Sequence, residues 1–349
     1  MAKKKSTKKS AKKASTKKTG QSKAPVVHLS EMEVGNNVFQ MVGDTSGLEN
    51  MNPMMMEKIM QGISKKLESL NLSEEEMEQI DLAELLNSMS VPKAETPQEK
   101  ARELIYTAYE TSDPKKMVAI ARKALKLDPD NVDALVILAE HTTTNVFEAI
   151  DGYRRAIAAG ERSLGEEFFK ANEGHFWAIH ETRPYMRALE ELAGILRSVS
   201  YECGGSENLD NEVVTIYQKM LRLNPGDNQG IRYRLFYRLL EVGRDEDAEK
   251  LYKDYSDDGS AWWMYGRVLL DFRKSGDTAK SRKSLKEAVK YNKHFPLFLL
   301  GRKRFPATPP GHYGIGDANE AAYYMNDSFE IWQKTPDIME WLAGFLDKK

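Results

Sequence analysis

From about residue 99 onward, apolar residues recur three and four positions apart in blocks separated by Pro, Gly, Asp or Asn. That pattern predicts amphipathic helices joined by short turns. Leu104, Ile105, Ala108 and Tyr109 mark a first helix. A turn at Ser112-Asp113-Pro114 leads into a second through Met117, Ala121, Ala124 and Leu125, closed by Leu127-Asp128-Pro129. The next pair carries Leu135, Leu138 and Ala139, then Ala149, Tyr153 and Ala156, with Gly160 read as its end. The third is irregular. Residues 168–181 predict an inserted helix, and Thr182-Arg183-Pro184 restarts the chain. Tyr185, Leu189, Leu192, Leu196 and Val199 form the next stripe, before Val213, Tyr217 and Met220. A fourth pair runs over 228–255 with Ala248, Tyr252 and Tyr255 at contact positions. A fifth opens at Trp262-x-x-Tyr265-Gly266 and continues to Val289. About five helix pairs at this spacing predict an all-α, tetratricopeptide-like α-solenoid.

The flanks read differently. Residues 294–349 predict capping helices, with a short apolar helix at 294–300, a Pro/Gly loop, a helix from Gly316 to Trp332, and a last one over 337–345 that buries Trp341 and Leu342. Upstream, 90–98 is a linker with Pro92 and Pro97. Residues 49–89 predict a small Met-rich helical hairpin. Met55, Ile59, Ile63, Leu67 and Leu70 form its first stripe, and the capping box Ser73-Glu74-Glu75-Glu76 launches its second helix. Residues 26–48 keep neither period and are read as irregular, so 1–48 is expected to be a disordered basic tail followed by an irregular segment.

Charge changes the picture at that end. Residues 1–25 carry ten Lys and no Asp or Glu, leaving 41 basic against 53 acidic residues, a net of −12, for the rest of the 349. The tail cannot bury enough apolar surface to order itself. Lys8, Lys9, Lys12, Lys13, Lys17 and Lys18 are its candidates for contact with phosphate backbones; the alternative is a purely solubilising leader. It has no aromatic residue for base stacking, so sequence-specific recognition is not expected. A single cysteine, Cys203, excludes an intrachain disulfide and suits the cytoplasm. Apolar runs such as 134–139 are too short to cross a bilayer, and the N-terminus lacks the apolar core of a secretory signal.

Catalytic signals are weak. His180-Glu181 begins like a zinc-protease helix, but Pro184 stands where the second His belongs. Gly314-x-Gly316 lacks the third Gly and the strand of a dinucleotide loop. Cys203-Gly204-Gly205 reads as a turn with a structural thiol, and Asp257-Asp258 as an exposed turn. No enzyme activity, metal or cofactor is expected. One constellation stands out on the helix from Asn228 to Glu241. Arg232 and Asn228 fall inside its apolar arc, and Arg234 and Arg238 outside it. A charge among core positions is paired or faces a groove. Arg232 is therefore either half of an internal ion pair, with Asp227 or Glu181, or part of a peptide-binding clamp with Asn228 and Arg183.

The stretch from Lys290 to Leu300, with Pro309-Pro310 and Gly316-Asp317-x-x-Glu320-Ala321-x-Tyr323, resembles the end of the helical-repeat region in the suppression of tumorigenicity 7 protein family. Ala139-Glu140-His141-Thr142-Thr143-Thr144-x-x-x-Glu148-Ala149 and the following 156–160 are similar to that family too. The likeness covers about residues 100–345, and its C-terminal motif is far more specific than any single repeat. His180-Glu181-Thr182-Arg183-Pro184-Tyr185 and the run from Asn224-Pro225 to Tyr233 resemble its soluble, bacterial-type members. The resemblance implies a tetratricopeptide-like scaffold with no catalytic residues to carry over. Membrane segments of the animal relatives have no counterpart here. The expected function is a non-catalytic protein-interaction scaffold binding a peptide or helix in its groove, and the rival is a nucleic-acid-associated adaptor working through the Lys tail. The partner protein is unknown, and no membrane is expected.

Overall fold

A computed structural model of the chain describes residues 28–34, 37–43, 53–70, 94–308 and 311–347. At the N-terminal side β1 (His28–Val34) and β2 (Asn37–Gly43) pair antiparallel, with Val34 opposite Asn37 and His28 opposite Gly43. This corrects the irregular reading of 26–48. Leu29, Met32 and Val34 on one strand and Val38, Phe39, Met41 and Val42 on the other do not hold a period of two. The pairing makes the strands, and the pattern does not reveal them. Helix α1 (Pro53–Leu70) follows. The Lys-rich tail and the second helix expected from Ser73 lie outside the described residues.

From Pro97 the chain is an α-solenoid. Its pairs are α2 (Pro97–Tyr109) with α3 (Pro114–Leu127), and α4 (Val132–Thr142) with α5 (Val146–Leu164). After the short α6 (Glu166–Asn172) come α7 (Arg183–Glu202) with α8 (Glu207–Leu223), α9 (Ile231–Glu241) with α10 (Asp245–Asp254), and α11 (Ala261–Ser275) with α12 (Ala279–Tyr291). Each helix packs on its sequence neighbours, and α4 also on α7, the first helix of the following pair. The starts are chemically marked. Thr96 and Glu99 form a capping box, Asp113, Asn131, Asn145 and Ser260 cap their helices through side-chain oxygens, and Thr278 pairs reciprocally with Ser281. Each such cap satisfies backbone N–H groups that have no partner inside the helix, worth about 1 kcal/mol.

Three expectations need correction here. Gly160 does not end its helix: α5 runs on to Leu164, and a Cβ at Gly160 would lie 2.8 Å from Tyr185 and 3.1 Å from Val132. It is a close-packing residue between three helices. The inserted helix expected over 168–181 is confined to α6, and a turn then leads to a single 3₁₀ turn, His180–Thr182. Thr182, fully buried, donates to the carbonyls of Phe176 and Ile179, which folds the insertion back onto the head of α7. Cys203 sits in the expected turn but is exposed, so it fills no core.

Beyond the pairs come α13 (His294–Leu299), α14 (Ala318–Lys334) and α15 (Ile338–Leu346). Helix α14 does more than cover the end. It packs against α9 and α11, the first helices of the last two pairs, as well as α13 and α15. Tyr324 stacks on Tyr265 at 5.6 Å and meets Tyr237, Trp262 and Phe295, while Trp332 donates its indole N–H to the Tyr324 hydroxyl at 2.9 Å. Tyr324 and Trp332 are both fully buried, so α14 belongs to the continuous core. Leu342 is buried as expected, and Trp341 is only half-buried against Phe272.

Candidate functional site

The first helices of the pairs, α2, α4, α7, α9 and α11, present one shared face, and both of its ends are taken by helices of the same chain. At one end α1 lies against α2 and reaches α7. Arg187 of α7 holds the buried Asp133 of α4 bidentately, Nε to Oδ1 at 3.2 Å and Nη2 to Oδ2 at 2.8 Å. Its remaining Nη1 donates to Glu57 of α1 at 2.7 Å. Burial works against the guanidinium charge, but the Asp133 and Glu57 carboxylates outweigh it and raise its pKa. Lys58 pairs with Glu103 at 2.7 Å. Gln61 accepts from the Tyr106 hydroxyl and donates to Glu181, each at 3.4 Å. Beside this contact a cavity of about 380 Å³ is lined by Glu57, Tyr106, Asp133, Leu164 and Tyr185.

At the other end α14 is seated by Asp327, which accepts from the Trp262 indole at 3.0 Å, and by Glu320. Glu320 is 1% exposed and accepts from the Ala261 amide, the Tyr291 hydroxyl, the Asn292 amide and the Gly316 amide, at 2.8–3.0 Å. Asp317 caps α14 through the Glu320 amide at 2.7 Å. The residues of the most specific sequence motif thus tie α14 to the heads of α11 and α13.

Between the two ends the face is polar. Glu140 of α4 and Glu191 of α7 face each other closely enough to couple. Burial first, then Glu191 and Asp133, push the Glu140 carboxyl up to about 7, and burial and Glu190 raise Glu191. Arg234 pairs with Glu190 at 2.8 Å, and Arg197 with Glu241 at 3.3 Å. A polar recess of about 720 Å³ follows, lined by Arg197, Tyr201, Asp210, Arg238, Glu241 and Lys334.

The residues singled out in the sequence are placed as follows. Arg232 has internal partners: Nε donates to Asp258 at 2.8 Å, Nη1 to Asp227 at 3.0 Å and Nη2 to the Tyr233 hydroxyl at 2.7 Å, and the guanidinium lies over the Tyr233 and Tyr255 rings. Asp258 is therefore not the exposed turn residue expected; only Asp257 is exposed. Asn228 is in the turn before α9, next to Asp227, and is not free. Arg183 donates to the Trp177 carbonyl at 2.9 Å, and its neighbours are Glu57, Arg187 and Glu181, so it shares no described partner with Arg232. Arg238, expected outside the apolar arc, is buried and paired with Asp210 and Glu241. Sequence reasoning missed Glu57, Asp133, Arg187, Glu140 and Glu191. The available signal was that 133 and 140, and 187 and 191, repeat at helical spacing on the polar sides of their stripes.

The chain matches the family model described as ST7 protein over residues 90–343. It is 23% identical over 270 residues to the Protein ST7 homolog of Caenorhabditis elegans, which covers 69% of this chain and 50% of that protein. It is 26% identical over 246 residues to the Suppressor of tumorigenicity 7 protein-like of Homo sapiens, covering 65% of this chain and 42% of the relative. The Gallus gallus protein of the same name gives 25% over 246 residues, 65% and 43%. The chain spans about half the length of the curated relatives it matches. Among the described residues no helix is long and apolar enough to cross a membrane.

Proposed function

Because the chain belongs to the ST7 protein family, we propose that it is a non-catalytic scaffold whose tetratricopeptide-like pairs bind a peptide or helix of a partner protein on the face of their first helices. The observation that carries this is that the same face already holds two helices of its own chain, α1 and α14, through side chains of α2, α7, α9 and α11. The polar motif residues support it, since each is engaged in the fold: Thr182 folds the insertion onto the head of α7, Asp227 and Asp317 hold the first turns of α9 and α14, and Glu320 joins α14 to α11. A cytoplasmic setting belongs to the same reading, as one exposed thiol suits a reducing compartment.

A photo-crosslinking residue at position 191, on this face, is compared with one at Phe147, which is 74% exposed on the second helix of its pair. Partner adducts in native extract are expected from 191 and not from 147. Equal labelling, or none at 191, would overturn the proposal. The second reading, an adaptor for nucleic acid through Lys8, Lys9, Lys12, Lys13, Lys17 and Lys18, rests on the ten Lys of residues 1–25. It requires duplex binding that falls by a factor on the order of 10³ or more between 50 and 200 mM salt and disappears when residues 1–25 are removed.

A further inference from the structure

The two helices seated on this face are held in different ways. Helix α14 enters the continuous aromatic core through Ala321, Ala322, Tyr324, Ile331 and Trp332. Among the described side chains of α1, Ile63 and Leu67 are the buried apolar ones, and neither is part of the two clusters that form the solenoid core. The remaining hold is polar: Glu57 on Arg187, Lys58 on Glu103, and Gln61 between Tyr106 and Glu181. Arg187 is oriented and charge-compensated by Asp133, and it keeps one N–H pair directed at the position of the Glu57 carboxylate. A guanidinium oriented by one carboxylate and presenting its remaining edge to a second, here Glu57, is a receptor for a carboxylate, because little reorganisation is needed when that second carboxylate is exchanged.

We infer that the seat of α1 is an exchangeable helix-binding site, and that its external ligand is an amphipathic helix of a partner protein bearing a carboxylate to meet Arg187 and apolar residues six and ten positions later, the spacing of Glu57, Ile63 and Leu67. Helix α1 is the built-in competitor. Being tethered, it holds the site at high effective concentration and sets the affinity a partner must exceed. This inference rests on the proposed helix-binding role and names the part of the face, and the ligand chemistry, that serve it.

The test uses the full chain and a labelled synthetic peptide of residues 53–70. In a variant carrying Glu57→Lys, Ile63→Asp and Leu67→Asp the chain's own helix is unseated, and the peptide is expected to bind it at least tenfold more tightly than it binds the unaltered chain. The same peptide with Glu57→Gln is expected to lose about tenfold on the unseated chain, the scale of one charge-assisted contact. That arm changes the ligand and leaves the folding of the receptor alone. Failure of the peptide to bind the unseated chain, equal binding to both chains, or undiminished binding of the Gln peptide would overturn the inference. So would dimers of the unaltered chain that exchange α1 between copies, since the occupant would then be a second copy. Partner adducts at position 191 with no peptide binding would sink this inference alone; peptide binding with no adducts would sink the broader scaffold reading instead.

Discussion

Replacing Gly160 by Ala sets two effects of opposite sign against each other. In an open helical position the exchange stabilises by about 1 kcal/mol, because Ala has less backbone freedom to lose. At Gly160 the added methyl would come within 2.8 Å of the Tyr185 ring and 3.1 Å of Val132. The ring cannot step aside cheaply. It is 1% exposed, its hydroxyl donates to Glu161 at 3.0 Å, and Phe169 and Phe176 pack on it at 5.2 and 6.3 Å. Overpacking in such a core costs about 1–3 kcal/mol, so the net change should be a loss of up to about 2 kcal/mol. Gly194, helical and with nothing within 4 Å of an added Cβ, supplies the control and should gain up to about 1 kcal/mol. Urea unfolding followed by circular dichroism measures both, with the two midpoints moving in opposite directions. A Gly160→Ala midpoint at or above that of the unaltered protein would refute the packing argument and return Gly160 to the role of a terminator.

Three further outcomes are expected. Ala248→Glu puts a long charged side chain into a fully buried position of α10 and should cost about 3 kcal/mol or more; an unchanged denaturation midpoint would remove Ala248 from the interface. Arg232→Ala should cost about 2–3 kcal/mol, less than the full cost of a stripped buried pair. Asp227 keeps the Ile231 and Arg232 amides, and Asp258 keeps the Ser260 amide and the Tyr233 hydroxyl. A fold left as stable as before would show that the guanidinium contributes nothing internal. Glu140→Gln should act through pH. The folded-state pKa near 7 lies above the ordinary 4.5, so the stability linked to the protonated carboxyl is full below about pH 4.5 and lost as pH rises through 7. Gln retains it throughout, giving about 1 kcal/mol at pH 8 after allowance for solvent screening and none at pH 4.5; thermal melts at the two pH values with the same gap would contradict this.

The helices were legible wherever local chemistry and local pattern agreed. Asp113, in the turn read from the sequence, caps its helix, and the stripes through Tyr185, Leu189, Leu192 and Leu196 and through Val213, Tyr217 and Met220 are buried as the spacing predicts. Agreement failed where a distant segment supplies the environment. Arg238 lies off the apolar arc of α9, yet it is buried and paired with Asp210 of α8, on a helix that packs against α8, α10 and also α14, about ninety residues later in the chain. A helical wheel records one buried side, and α9 has more than one. Gly160 misled for a related reason: a glycine at a helix end and a glycine against a neighbouring ring look alike until the ring is placed.

The candidate site was harder to read than the fold, and the reason lies in what makes a residue conspicuous in one dimension. His180-Glu181-Thr182-Arg183-Pro184-Tyr185, Asp227 and Gly316-Asp317-x-x-Glu320 stand out because turns and joints demand particular side chains: a hydroxyl that reaches two carbonyls, a carboxylate that takes two to four donors, a backbone at positive φ as at Gly316. Those demands are local and chemically narrow, so they leave a readable trace. A binding face on a solenoid makes no such demand. Glu140, Arg187, Glu191 and Arg234 only have to lie at helical intervals on three different helices, where charged residues stand in any amphipathic helix. Their juxtaposition depends on how successive pairs stack, and no single stretch of sequence carries it. Arg232 shows the converse. Its place inside the apolar arc made it conspicuous because it needed partners, and the need is met within the fold by Asp227 and Asp258, which makes it a structural residue first.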